Sequence, residues 1–214
     1  MKVVVFGATG MVGQGVLRES LLAPDVEEVV AVIRTPTGTR HPKLREVKLA
    51  DFGDLTPIKD DLVGADACFY CLGVSSVGLD EAEYSVISYD YPMAAARTFA
   101  EVNPQVTFVY VSGAGTDPDG RRMWSRVKGG AERDIIALLP NGYAFRPGII
   151  RPTHGARSKT RLYNSIYTAA APLLTLLERV FPKYVTTSDR LGRAMLQAAR
   201  TGFPNHVVEN ADLR

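Results

Sequence analysis

Residues 2–22 read KVVVFGATGMVGQGVLRESLL, and this stretch decides the fold. Residues 3–6 are an unbroken apolar run. Over residues 12–22, Val12 and Val16, then Leu17 and Leu21, recur four apart, the spacing of one helix face, and Pro24 ends the pattern. Between run and helix lies Gly7-Ala8-Thr9-Gly10-Met11-Val12-Gly13, a G-x-x-G-x-x-G loop with one more residue between its first two glycines than the dinucleotide fingerprint. Glycine permits the sharp strand-to-helix turn and lets backbone N–H groups come close to a pyrophosphate. A helix opening near Met11 aims its free N–H groups and positive dipole end at that phosphate. The loop therefore predicts a dinucleotide held by Gly7, Thr9, Gly10, Met11, Val12 and Gly13.

Working outward, short apolar runs alternate with stretches of helical period, the pattern of βαβ units and a parallel sheet. The runs cover residues 3–6, 29–33, 47–49, 67–72, 106–111 and 143–145, with a last one at 206–208. Most are continuous rather than alternating, as strands covered on both faces should be. Helices are predicted over 12–22, 81–101 and 124–139, the last two closed by Asn103-Pro104 and Pro140-Asn141-Gly142. After Pro152 the pattern gives a loop, a helix to about residue 180, and another helix opened by Ser188 or Asp189. The expected architecture is α/β: one Rossmann-type domain over 1–214, a doubly wound parallel sheet on which residues 151–200 form a small helical cap.

The ligand-bearing positions follow from the ends of the strands, where an open α/β sheet binds. Arg34 ends the second strand, at the place where an acid would accept from the ribose diol of NAD. A guanidinium suits a 2′-phosphate instead, with Arg40 or Lys43 to help, so NADP(H) is expected over NAD(H). Asp51 and Phe52 follow the third strand, a carboxylate for the adenine amino group and a ring to border the base. Cys71, Leu72 and Gly73 end the fourth, with a small residue where a ribose lies close.

Composition narrows the class. Net charge is +2 and no Lys/Arg block occurs, which argues against nucleic acid. Met1-Lys2 leads straight into a strand with no signal-length apolar stretch, so a cytoplasmic protein is expected. The longest uncharged segment, residues 162–177, has 16 residues and contains Asn164, Ser165 and Pro172, which is short for a membrane span. Its leucines at 173, 174, 176 and 177 are the candidate partner face of a homodimer. Cys68 and Cys71, three apart on a strand, point to opposite faces, so they are expected as buried thiols in a reducing compartment rather than as half of a metal site.

Together GATGMVG, the CLG of 71–73, the VYVSGAG of 109–115, the lysine of Lys128-Gly129 and the FRPG of 145–148 resemble the short-chain dehydrogenase/reductase superfamily. More closely they resemble its atypical NAD(P)-binding epimerase/dehydratase-like branch, near the Tat-interacting oxidoreductase-like proteins. The resemblance covers residues 1–150 and, more weakly, 185–198. It implies NAD(P) above the sheet, Pro147 and Gly148 beside the nicotinamide, and catalysis by Ser, Tyr and Lys with Tyr-x-x-x-Lys on one helix. Ser112 matches the serine, Lys128 the lysine, and the tyrosine position is Trp124.

That departure is chemical. An indole N–H donates a hydrogen bond but does not exchange a proton near neutral pH. General acid–base help is worth roughly 10²–10⁴ in rate. Tyr84, Tyr89, Tyr91 and His154 are alternative proton sources that nothing in the sequence brings to the site, and Arg121, Arg122 and Arg126 can gather an anionic substrate of unknown identity. Lys128 retains a second use on the nicotinamide ribose. Two functions therefore fit the residues: an NADP-dependent carbonyl or sugar oxidoreductase with altered acid catalysis, or a non-catalytic NADP(H)-binding protein acting through partners.

Overall fold

A computed structural model describes residues 1–156 and 183–213. Seven parallel strands form the central sheet: β1 (Lys2–Phe6), β2 (Glu28–Ile33), β3 (Leu44–Lys48), β4 (Ala67–Tyr70), β5 (Thr107–Val111), β6 (Gly142–Arg146) and β9 (Val207–Glu209). Their order is β3-β2-β1-β4-β5-β6-β9, with the winding reversing between β1 and β4. This is the Rossmann-type doubly wound fold, and its reversal point lies beside the glycine loop. A separate parallel pair, β7 (Ile149–Arg151) with β8 (Val185–Thr187), was not foreseen from the apolar runs.

Alternation within each strand divides the core into two layers. Val3 and Val5 of β1 face one side, where α1 (Met11–Leu22) and α6 (Ser188–Thr201) cover an aliphatic layer containing Val16, Leu17, Leu191 and Met195. Val4 and Phe6 face the other, under α4 (Tyr91–Val102) and α5 (Met123–Leu138). That second layer is aromatic: Phe6 stacks on Tyr70 at 5.2 Å, Tyr70 on Phe108 at 6.1 Å, and Phe108 meets Phe99 edge-on at 6.1 Å. Cys68 lies in this layer and Cys71 packs against the other, so the two free thiols do occupy opposite faces.

Glycines set the closest helix contact. A Cβ on Gly15 would stand 2.6 Å from Cβ of Ser188, and one on Gly192 3.0 Å from Cγ of Glu19. α1 and α6 therefore touch backbone to side chain, closer than two side-chain-bearing surfaces allow. Glu19, buried at this seam, pairs with Arg18 at 2.6 Å and Arg193 at 3.3 Å.

The helix expected over 81–101 is three segments in the structure: α3 (Glu81–Ser85), a π-helical turn (Val86–Asp90) and α4. Asp80 opens α3 with a capping box, and Pro92 sits in the first turn of α4, directly after the π-helical turn. A short 3₁₀ turn (Thr56–Ile58) and α2 (Lys59–Leu62) bridge β3 and β4. The cap helix to residue 180 and the leucine face at 173–177 lie outside the described residues.

Candidate functional site

The loop after β1 is built by backbone packing. Gly7 has φ +77°, and a Cβ there would stand 2.6 Å from N of Leu72 and 2.7 Å from C of Cys71. Cys71 N donates to Phe6 O at 3.0 Å, so the ends of β1 and β4 are pinned together. A Cβ on Gly13 would overlap the carbonyl of Gly7. Gly10 N donates to Gly7 O at 2.9 Å, and Gly10 is the N-cap of α1 with extended backbone and no side-chain capping bond. The first turn of α1 carries no acid, so Met11 and Val12 begin a helix whose leading N–H groups have no anionic side chain beside them. Thr9 turns its carbonyl to Gln14 Nε2 at 3.0 Å. A Cβ on Gly73 would meet nothing within 4 Å, so the chain itself does not require glycine there.

At the end of β2, Arg34 is exposed and its guanidinium lies 5.6 Å over the ring of Phe52. Phe52 is only 3% exposed, packed against Phe6 and Tyr91, so its ring is a core side chain that supports Arg34. Asp51 is exposed, and its carboxylate accepts from Gly53 N at 2.8 Å in a tight turn. Lys43 is spent on the carbonyl of Ala23 at 2.8 Å, while Arg40 is exposed.

The expected catalytic residues gather at the end of β5. Ser112 is buried, its N–H donates to Phe145 O at 2.8 Å, and its hydroxyl lies 3.0 Å from Thr116 Oγ1. Lys128, one face of α5, reaches back to β5: Nζ donates to Val111 O at 3.1 Å and to the Tyr110 phenol oxygen at 3.2 Å, and lies 4.7 Å over that ring. Burial lowers the Lys128 ammonium to about 8 from its usual 10.5, against a smaller opposing pull from Glu132. Tyr110, fully buried, donates its hydroxyl hydrogen bond to Ser88 O at 2.9 Å, and burial holds its phenol well above the ordinary tyrosine range. Trp124 stands one turn before Lys128 with its ring edge toward Gly115.

Several sequence candidates are committed elsewhere. Tyr89 donates to Asp134 at 2.6 Å, Tyr91 packs on Phe52, and Tyr84 is buried on α3. His154 sits in an exposed turn at φ +53°. Arg126 is tied to Glu81 at 2.8 Å and to the carbonyls of Gly120 and Arg121, which leaves Arg121 and Arg122 as the exposed part of that cluster. Gly148 donates to Asn210 Oδ1 at 2.8 Å, and a Cβ there would overlap the Tyr184 carbonyl. The buried Pro147 accepts from Ala114 N at 2.9 Å. Sequence reasoning missed Tyr110 and Thr116. The available signal was that Tyr110 and Ser112, two apart, share a strand face.

A cavity of about 600 Å³ opens beside α1, lined by Thr9, Gln14, Arg18, Thr37, His41 and Thr153 among others. It touches the glycine loop only at Ala8 and Thr9 and lies away from Ser112 and Lys128. Among the described residues, no cluster of His, Cys, Asp or Glu is arranged to hold a metal, and no helix is long and apolar enough to cross a membrane.

Comparison with solved structures places the fold among short-chain dehydrogenase/reductases. A short chain dehydrogenase family protein from Francisella tularensis superposes with TM-score 0.68 at 15% identity, covering 97% of this chain and 95% of that one. The Bordetella bronchiseptica enzyme WbmH, solved in complex with NAD⁺, gives TM-score 0.67 at 17% identity, covering 97% and 73%. No family model matches the sequence. Among curated proteins, "Protein FMP52, mitochondrial" of Debaryomyces hansenii is 26% identical over 203 residues, 93% of this chain and 88% of that protein. The protein of the same name from Saccharomyces cerevisiae is 30% identical over 166 residues, 75% of this chain and 69% of that protein. Their names overturn the cytoplasmic location expected from the N-terminus: absence of a secretory signal says nothing about import into an organelle. With that identity sustained over more than two thirds of the yeast protein, the chain belongs to the FMP52 family.

Proposed function

We propose that this chain binds NADP(H) across the ends of β1, β2 and β4 and uses it to reduce a carbonyl compound. The observation that carries this reading is the glycine loop. Gly7 and Gly13 are demanded by backbone packing, Gly10 is the N-cap of α1 with no side-chain capping bond and a Cβ there would stand 3.3 Å from Gly7 O, and Gly73 faces open space. Such a cradle has N–H donors for a pyrophosphate and room for a ribose against the chain. Gly7, Thr9, Gly10, Met11, Val12 and Gly13 would hold the pyrophosphate, Arg34 the 2′-phosphate, Asp51 the adenine amino group, and Cys71–Gly73 and Lys128 the riboses. Phe52 acts indirectly by supporting the Arg34 guanidinium. Pro147 and Gly148 close the nicotinamide end, and Ser112 is the hydroxyl aimed at the substrate carbonyl. Residues 1–214 act as one Rossmann-type unit, and the mitochondrial placement of the named relatives extends to this chain.

Trp124 favours a second reading, in which the dinucleotide is carried as a sensing or structural ligand without turnover. Titration with NADPH and NADH, followed by single-turnover oxidation of bound NADPH against a panel of aldehydes and ketones, separates the two. Tighter NADPH binding with carbonyl-dependent oxidation is expected. Equal affinity for NADH refutes the role of Arg34, and tight binding without oxidation by any carbonyl selects the sensing reading.

A further inference from the structure

The short-chain dehydrogenase site lacks its tyrosine here, yet a phenol still lies within hydrogen-bond distance of the site lysine. Tyr110 approaches from the strand side, below Lys128, rather than from position 124 on the same helix. It is fully buried and its proton is directed to Ser88 O in the π-helical turn, so it faces away from any substrate. The residue it holds is different. Lys128 is only partly buried, and two of its three N–H bonds go to the Tyr110 oxygen and Val111 O, which leaves the third outside these two contacts. Val111 immediately precedes Ser112, so the ammonium is anchored to the end of β5 one residue before the serine expected to meet the carbonyl.

We propose that Lys128 itself delivers the proton to the carbonyl oxygen, and that Tyr110 is its positioning residue. This rests on the reductase reading above. When bound, the reduced dinucleotide supplies a hydride with its electron pair to the carbonyl carbon and is left oxidised. The C=O π pair then moves onto oxygen, and that oxygen takes H⁺ from Nζ while Ser112 donates to it. An alcohol and a neutral lysine amine result, and the amine regains its proton from water.

The surroundings suit the task. Glu132, one turn further along α5, is the carboxylate that most favours the charged amine, but Arg146 of β6 claims it at 2.6 Å. On the segments packed against α5, Glu81 is paired with Arg126, Tyr89 with Asp134, and Tyr84 is a buried neutral phenol. Lys128 is thus left with a phenol and a carbonyl as its near neighbours, and burial brings its ammonium to about 8. An acid of that strength transfers a proton near neutral pH far more readily than an unperturbed lysine.

The test has two readouts. In the dinucleotide-free protein, competitive labelling of the Lys128 amine as a function of pH should give a midpoint near 8 in the wild type. Tyr110→Phe, which keeps the ring and removes the oxygen, should lower it by about one unit by withdrawing a bond from the charged form. In single-turnover NADPH oxidation, the wild-type rate should fall above the same midpoint, and the Tyr110→Phe limb should move with it. Lys128→Arg should bind NADPH within about tenfold of wild type yet lose at least about a hundredfold in rate, because a guanidinium does not give up its proton. A Lys128 midpoint at the ordinary lysine value, or a Lys128→Arg protein that turns over at the wild-type rate, overturns the proposal and leaves the reductase reading standing. Wild-type protein that binds NADPH and reduces no carbonyl overturns both.

Discussion

The guanidinium of Arg34 rests on the face of Phe52, 5.6 Å from the ring centroid, and the ring itself is locked between Phe6 and Tyr91. A surface charge at the end of β2 is thereby positioned by the core. Arg34→Ala should reduce the preference for NADPH over NADH by about ten- to hundredfold, the value of one charge-assisted contact, with little loss of stability. Phe52→Leu should instead cost about 1–2 kcal/mol in denaturant unfolding and blunt the same preference more weakly. Paired titrations and unfolding curves separate the two effects.

Two glycines of the same cradle should respond in opposite ways. Gly7→Ala meets the Leu72 backbone and demands φ +77°, so a loss of more than about 2 kcal/mol is expected along with dinucleotide binding. Gly73→Ala meets nothing, so stability should stay within about 0.5 kcal/mol while the dinucleotide Kd rises. Unchanged affinity in Gly73→Ala would show that no ligand passes there.

Lys128 should make apo stability pH-dependent. Its folded-state ammonium titrates at about 8 against 10.5 in the unfolded chain, so the unfolded state holds more protons between these values and stability rises with pH across that window. Tyr110 works the other way only above about pH 10, where the unfolded phenol ionises and the buried one does not. Lys128→Met should therefore raise the unfolding free energy at pH 7, by the order of 3 kcal/mol before the loss of its two hydrogen bonds is deducted. The gain should shrink toward pH 10. A variant less stable than wild type at pH 7 would contradict the burial cost assigned to the ammonium.

The Glu132–Arg146 pair is the opposite case. Its carboxylate is 4% exposed and receives both Nε and Nη2 of Arg146, which also reaches Glu209 at 3.1 Å. Glu132→Ala strands a partly buried guanidinium and should cost about 3–5 kcal/mol in urea unfolding, whereas Glu209→Ala should cost under about 1 kcal/mol.

Restoring a phenol at position 124 adds an acid to the face of α5 that carries Lys128, four residues on. Trp124→Tyr is expected to raise single-turnover NADPH oxidation by at least about tenfold. An unchanged rate would mean that a ring at this position, directed toward Gly115, does not reach the substrate.

The sheet was legible because each central strand is apolar on both faces and each glycine or proline break falls where the chain turns. β3 was the least precise: Arg45, Glu46 and Lys48 give an edge strand a polar sequence, so only its Val47 end stood out. The π-helical turn left no compositional trace, since an extra residue per turn changes hydrogen bonding rather than residue type. β7 and β8 are three residues each and pair across 33 intervening positions, from Arg151 to Val185, which no local periodicity encodes. Ser112, Trp124 and Lys128 were singled out by resemblance to a family pattern, whereas the Tyr110 bond to Lys128 depends on how α5 seats on β5, a tertiary fact.

The close seating of Gly15 on Ser188 and of Gly192 on Glu19 joins α1 to α6, far apart in sequence. During synthesis α1 alone covers the aliphatic side of β1 and β2 until α6 has emerged, so that hydrophobic layer is completed only after residue 201 is made. The helix that follows the glycine loop therefore acquires its final support only once α6 has been made, which ties the geometry of that loop to a segment more than 160 residues away in sequence.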